Sequence, residues 1–134
     1  MTKFRRQKFK KETSLKLYKV AADDLYAAEI LFSAPKYRPE TVLYHLQQAI
    51  EKAIKSVLIS REIAVPLTHD VDLLLAELPV DLTSSLPSGL GELTQYATIR
   101  RYLDGEELIE ANDILATISA AKTVLAWAQN ANVI

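Results

Sequence analysis

Residues 44–58 read YHLQQAIEKAIKSVL. At about 100° per residue, Val42, Leu43, Leu46, Ala49, Ile50, Ala53, Ile54, Val57 and Leu58 cover one broad face of a helix. Tyr44, His45, Gln48, Glu51, Lys52 and Lys55 share the opposite face. Pro39 is well placed to open this helix, because it lacks an N–H only where none is needed, and the pattern carries on to about Arg61. A helix this long with so wide an apolar face needs other helices to cover it.

The rest of the chain supplies them. A first helical pattern runs from about Ser14 to Ser33, and Pro35 and Pro39 bracket the short connection that follows. Thr68 is expected to cap a short third helix, with Asp70 and Asp72 in its first turn, where the helix dipole favours negative charge. This helix stops at Pro79, and VDLTSSLPSGLG (80–91) reads as a loop. A fourth pattern spans about 90–103. Asp104 with Glu107 has the form of a capping box for a long fifth helix, which reaches about Asn130 and carries Ala111, Ile114, Leu115, Ile118, Ala121 and Leu125 as its apolar stripe. Three glycines and five prolines in 134 residues leave little of the turn chemistry of a many-stranded fold. The expectation is an all-α fold, an antiparallel up-and-down four-helix bundle with an additional short helix.

Charge divides the chain into a basic arm, residues 1–12, and a helical bundle, residues 13–134. Within residues 1–11, Lys3, Arg5, Arg6, Lys8, Lys10 and Lys11 are six of the sixteen basic residues with no acid among them, leaving ten basic against seventeen acidic side chains in residues 12–134. Phe4 and Phe9 are interleaved with these cations. Such an arm suits a nucleic-acid backbone or an acidic partner, and the plainer reading is a solvated, frayed terminus.

Composition also excludes chemistry. With no cysteine, thiolate metal sites and cysteine nucleophiles are impossible. The two histidines, His45 and His69, lack the i, i+4 spacing of a zinc-binding helix, so no metal and no cofactor is expected. Gly89 and Gly91 do not make a phosphate loop, and Ser84, Ser85 and Ser88 have no adjacent base. The apolar runs are too short for a membrane span, which points to a cytoplasmic protein.

One residue breaks the pattern. Leu17, Val20, Ala21, Ala27, Ala28 and Leu31 form the stripe of the first helix, and Asp24 falls in its middle. A carboxylate there needs a cation, because an isolated buried charge costs several kcal/mol. TIRRYLDGEE (98–107) offers Arg100 and Arg101, whose guanidinium groups suit a two-pronged bond. One of the two, with Arg101 the expected one, is assigned to Asp24, and the other is left for a ligand. His69 beside the cap reads as a local structural residue, and His45 reads equally as a solvated or a functional one.

Three motifs in order, YHLQQAIEKAIKSVL (44–58), PLTHDVDLLL (66–75) and IRRY (99–102), together resemble a HEPN domain over about residues 14–128. The resemblance implies a helical bundle, commonly a homodimer, often paired with a minimal nucleotidyltransferase as a toxin–antitoxin system. Many HEPN domains are metal-independent ribonucleases that carry an arginine followed a few residues on by a histidine. Here the positions for that histidine hold Gly105, Glu106, Glu107 and Leu108, and no histidine follows His69. An enzyme is therefore disfavoured. The expected function is a non-catalytic module that binds a nucleotide or nucleic acid, or the nucleotidyltransferase partner, through Arg100, Arg101, Tyr102, His45, Gln48, Lys52 and Lys55. The alternative is an endoribonuclease with a displaced base, His45 or His69.

Overall fold

A computed structural model describes residues 5–94 and 109–132 of the chain. The helices are α1 (Thr13–Ser33), α2 (Pro39–Ser60), α3 (Val71–Leu75), α4 (Val80–Thr83) and α5 (Ala111–Ala131), and residues 90–94 are also helical. The fold is all-α, as the hydrophobic periodicity predicts. The remainder of the fourth expected helix lies outside the described residues.

Helix α2 is the axis of the molecule. Its N-cap Arg38 is extended and Pro39 occupies the first turn, as expected. Leu43, Leu46, Ile50, Ile54 and Leu58 are fully buried against α1, α3 and α5, each removing apolar surface worth about 1.5–3 kcal/mol. Arg61, at the end of α2, donates to the Ala131 carbonyl at the end of α5 (3.3 Å), so these two helices run in the same direction. Tyr18, near the start of α1, donates to the Leu125 carbonyl (3.2 Å), so α1 runs antiparallel to both.

Helix α2 stops without a glycine. Glu62 takes a left-handed φ of 60°, the Glu62 N–H donates to the Ile59 carbonyl (3.0 Å), and the Ile63 N–H donates to the Leu58 carbonyl (2.9 Å). This pair of bonds is a Schellman motif, which satisfies carbonyls the helix end leaves open.

Several local expectations are corrected. Asp70, not Thr68, caps α3: its carboxylate accepts from the N–H groups of Asp72 (3.0 Å) and Leu73 (3.4 Å), while Thr68 Oγ1 accepts from Asp70 N–H (3.1 Å). The expected loop at 80–91 opens instead with the single-turn helix α4 after Pro79, and Trp127 Nε1 donates to the Leu82 carbonyl (2.8 Å), fixing that turn to α5. Helix α5 starts at Ala111, not near Asp104; Ile109 and Glu110 are not helical, and the Glu110 N–H donates to the Asp113 carboxylate (2.9 Å). Leu115 and Ala111 face outward on α5, and Val20 does so on α1. The expected Ile114, Ile118, Ala121, Leu125, Ala21 and Ala28 are buried, and Val124, Ala128 and Leu25 complete their rows, because each helix turns its seam toward α2.

The N-terminal arm is not frayed from Arg5 onward. Strand β1 (Arg6–Gln7) pairs antiparallel with β2 (Val65–Pro66), with Arg6 opposite Pro66 and Gln7 opposite Val65. Leu67 N–H donates to the Arg5 carbonyl (2.7 Å), Arg6 forms an ion pair with Glu77, and Phe9 packs on the core.

Candidate functional site

Because α2 is enclosed on several sides, its polar face is not a solvent face. Gln47 and Glu51 are each only 3% exposed. A carboxylate so placed must be matched by donors, and Glu51 is matched by three. Its Oε1 accepts from Gln47 Nε2 (2.8 Å) and lies 2.9 Å from His69 Nδ1; its Oε2 accepts from Lys55 Nζ (2.9 Å). Gln48 Nε2 donates to Gln47 Oε1 (2.9 Å) and extends the network by one residue.

His69 is held in an informative way. An ionised carboxylate only accepts, so Nδ1 is the ring nitrogen that carries hydrogen toward Glu51. The opposite nitrogen, Nε2, belongs to a ring that is 80% exposed. A buried carboxylate orienting a solvent-facing imidazole is the arrangement that acid–base chemistry uses, and it also makes a fixed hydrogen-bonding group for a ligand.

A second cluster lies between α1 and α2. Lys52 Nζ donates to Asp24 Oδ2 (2.7 Å), and His45 Nδ1 is 3.8 Å from Asp24 Oδ1. That His45 nitrogen is buried and has no hydrogen-bond partner among the described residues. Asp24 does have a cation beside it, and among the described residues that cation is Lys52. Arg101, to which the sequence assigns the pairing, lies outside the described residues with Arg100 and Tyr102.

The site therefore joins His45 and Lys52 in one cluster, and Gln48, Lys55, Glu51 and His69 in the other. The two expected lysines on α2 are engaged with carboxylates. Cations without an acidic partner lie elsewhere: Arg5, Lys8, Lys10, Lys16 and Lys19 are exposed on the arm and early α1, and none forms an ion pair among the described residues. Among the described residues there is also no group of histidine, aspartate and glutamate placed to hold a metal.

The HEPN domain pattern matches residues 14–131, nearly the whole chain. The chain belongs to the HEPN domain family. Two solved structures share its HEPN fold. TT1696 from Thermus thermophilus is 21% identical with a TM-score of 0.66, covering 88% of this chain and 97% of that one. ST0689, an archaeal HEPN homologue, is 24% identical with a TM-score of 0.65, covering 87% of this chain and 95% of that one. Comparison with curated proteins finds no match.

Two of the three HEPN-like motifs in the sequence meet at one contact. QQAIEK supplies Gln47, Gln48, Glu51 and Lys52, THD supplies His69, and the Glu51–His69 pair joins them. Sequence reasoning placed Glu51 on an open face and passed over Gln47. The available signal was the i, i+4 ladder Gln47–Glu51–Lys55, which already matches a carboxylate on both sides along one helix.

Proposed function

We propose that this HEPN protein is a binding module for the phosphate-bearing chain of a nucleotide or RNA, with the docked basic arm and the exposed His69 forming one face. The observation that supports this reading is the arm itself. Strand pairing with β2 fixes Arg5, Lys8 and Lys10 beside the end of α2, and no acidic partner neutralises them among the described residues. Fixed cations lose less freedom on meeting a polyanion than those of a frayed tail. Arg100, Arg101 and Tyr102 are assigned to the same ligand. Titration of labelled RNA at several salt concentrations tests the reading, and affinity that is flat with salt would count against it.

A second reading is favoured by Glu51 and His69: RNA cleavage without a metal. His69 Nε2 takes the proton of a ribose 2′-hydroxyl, the 2′-oxygen attacks phosphorus, and the 5′-oxygen leaves and takes up a proton, giving a cyclic phosphate and a 5′-hydroxyl. Glu51 is a positioning residue in this scheme. Incubation with RNA in chelator tests it: cleavage lost in His69→Ala and kept in His45→Ala supports the scheme, and intact RNA ends it.

A homodimer, or a complex with a minimal nucleotidyltransferase in a toxin–antitoxin pair, is supported by the outer row of α1, where Leu15, Tyr26 and Ile30 are exposed. Sedimentation of the pure protein, alone and with such a partner, distinguishes them.

A further inference from the structure

Beneath the docked arm lies a cavity of about 220 Å3, walled by Phe9, Thr13, Leu17, Ile59 and Leu67, with Lys55 at one side. It is smaller than the roughly 300–1,000 Å3 of sites that enclose drug-sized ligands, and so suits a single ring system. Its walls are apolar apart from the Thr13 hydroxyl and Lys55. The cavity therefore suits a small, largely apolar group that offers an acceptor at one edge.

The charge balance narrows the class further. Lys55 is already neutralised by Glu51 at 2.9 Å, so a second carboxylate or phosphate entering here would compete with Glu51 for the same ammonium group. A neutral carbonyl oxygen can share that donor without adding charge. Outside the cavity, Lys8 and Lys10 flank Phe9 in the chain and stand ready for the negative group such a ring would carry.

We infer that this cavity is a nucleobase site, taking a keto base of the uracil or hypoxanthine type against Phe9, with its ring carbonyl toward Lys55 and its phosphate out among the cations of the arm. The inference rests on the reading of this face as a nucleotide or RNA site, and it adds the base subsite to it. Phe9 is the stacking surface, since every base presents a π-face to an aromatic ring. Docking of the arm by β1 and β2 is what brings Phe9 over the cavity.

The test is calorimetric titration of the full chain with uridine, inosine, adenosine and ribose 5-phosphate. Uridine and inosine are expected to bind about tenfold or more tightly than adenosine, which lacks the ring carbonyl. Phe9→Leu, which keeps an apolar wall but no ring, should weaken uridine about tenfold. Leu67→Trp, at an exposed position on the rim, should block uridine while the helical circular dichroism stays unchanged. Ribose 5-phosphate should bind both variants as it binds the parent. Competition of bound uridine by uridine 5′-monophosphate and by a short oligouridine identifies a free nucleotide or an RNA strand as the source, and failure of both to compete overturns the inference. Equal affinity for adenosine and uridine, parent-like uridine binding in both folded variants, or no nucleoside binding at millimolar concentration would also overturn it. Loss of ribose 5-phosphate binding alone counts against the phosphate reading, and leaves the base site to be decided by uridine.

Discussion

His69 Nδ1 lies 2.9 Å from Glu51 Oε1, so a ring that is 80% exposed is fixed by a carboxylate that is 4% exposed. The two members of the pair should therefore behave very differently on mutation. Glu51→Ala leaves Lys55 and Gln47 without their acceptor inside the bundle and should cost about 3 kcal/mol. His69→Ala should cost less than about 1 kcal/mol, since most of its ring is already in water. Urea denaturation of the two variants measures both; equal losses would show that the imidazole is a structural group after all.

Asp24 and Lys52 offer a direct check on the ion pair assigned from sequence. Each is partly exposed, so the coupling energy from a double-mutant cycle of Asp24→Asn and Lys52→Met should be about 1 kcal/mol. The matching cycle of Asp24→Asn with Arg101→Met tests the second cation. Strict additivity there removes Arg101 as a partner of Asp24.

At the end of α2, Glu62 holds a left-handed conformation that costs a residue with a Cβ about 1–2 kcal/mol. Glu62→Gly keeps both Schellman bonds and should raise stability by about 1 kcal/mol, with a higher midpoint in thermal unfolding. A lower midpoint would mean that the Glu62 side chain contributes more than its backbone strain takes away.

The arm should serve both fold and ligand. Removing residues 1–9 exposes part of the core under Phe9 and breaks the β1–β2 pairing, so a loss of about 1–3 kcal/mol is expected with the helices retained. Replacing Arg5, Lys8 or Lys10 singly by alanine should leave stability within about 0.5 kcal/mol. Each such change should lower the slope of log affinity for single-stranded RNA against log salt by about 0.7. An unchanged slope in all three places the phosphate contacts elsewhere.

Much of the architecture was legible in residue order. The wheel of α2, the proline at its start and the apolar periods of α1 and α5 are local properties, and a helix forms or fails largely on such properties. What misled was the direction in which each seam turns. Leu115 and Val20 are apolar by type yet face outward, and Glu51 is charged yet buried, because a helix enclosed by several neighbours has no free face on which to keep its polar residues.

The sequence by itself determined the long helices α1, α2 and α5, the class of fold, the absence of cysteine chemistry and the need of Asp24 for a cation, since each depends on residue type and spacing along one segment. Only the tertiary structure decided that Lys52 stands beside Asp24, that the THD histidine reaches the carboxylate of QQAIEK, and that the basic arm closes over a cavity. Those contacts join segments separated by 18 residues or more. Such contacts form when loop entropy is offset by packing, a balance over the whole chain that no local pattern records.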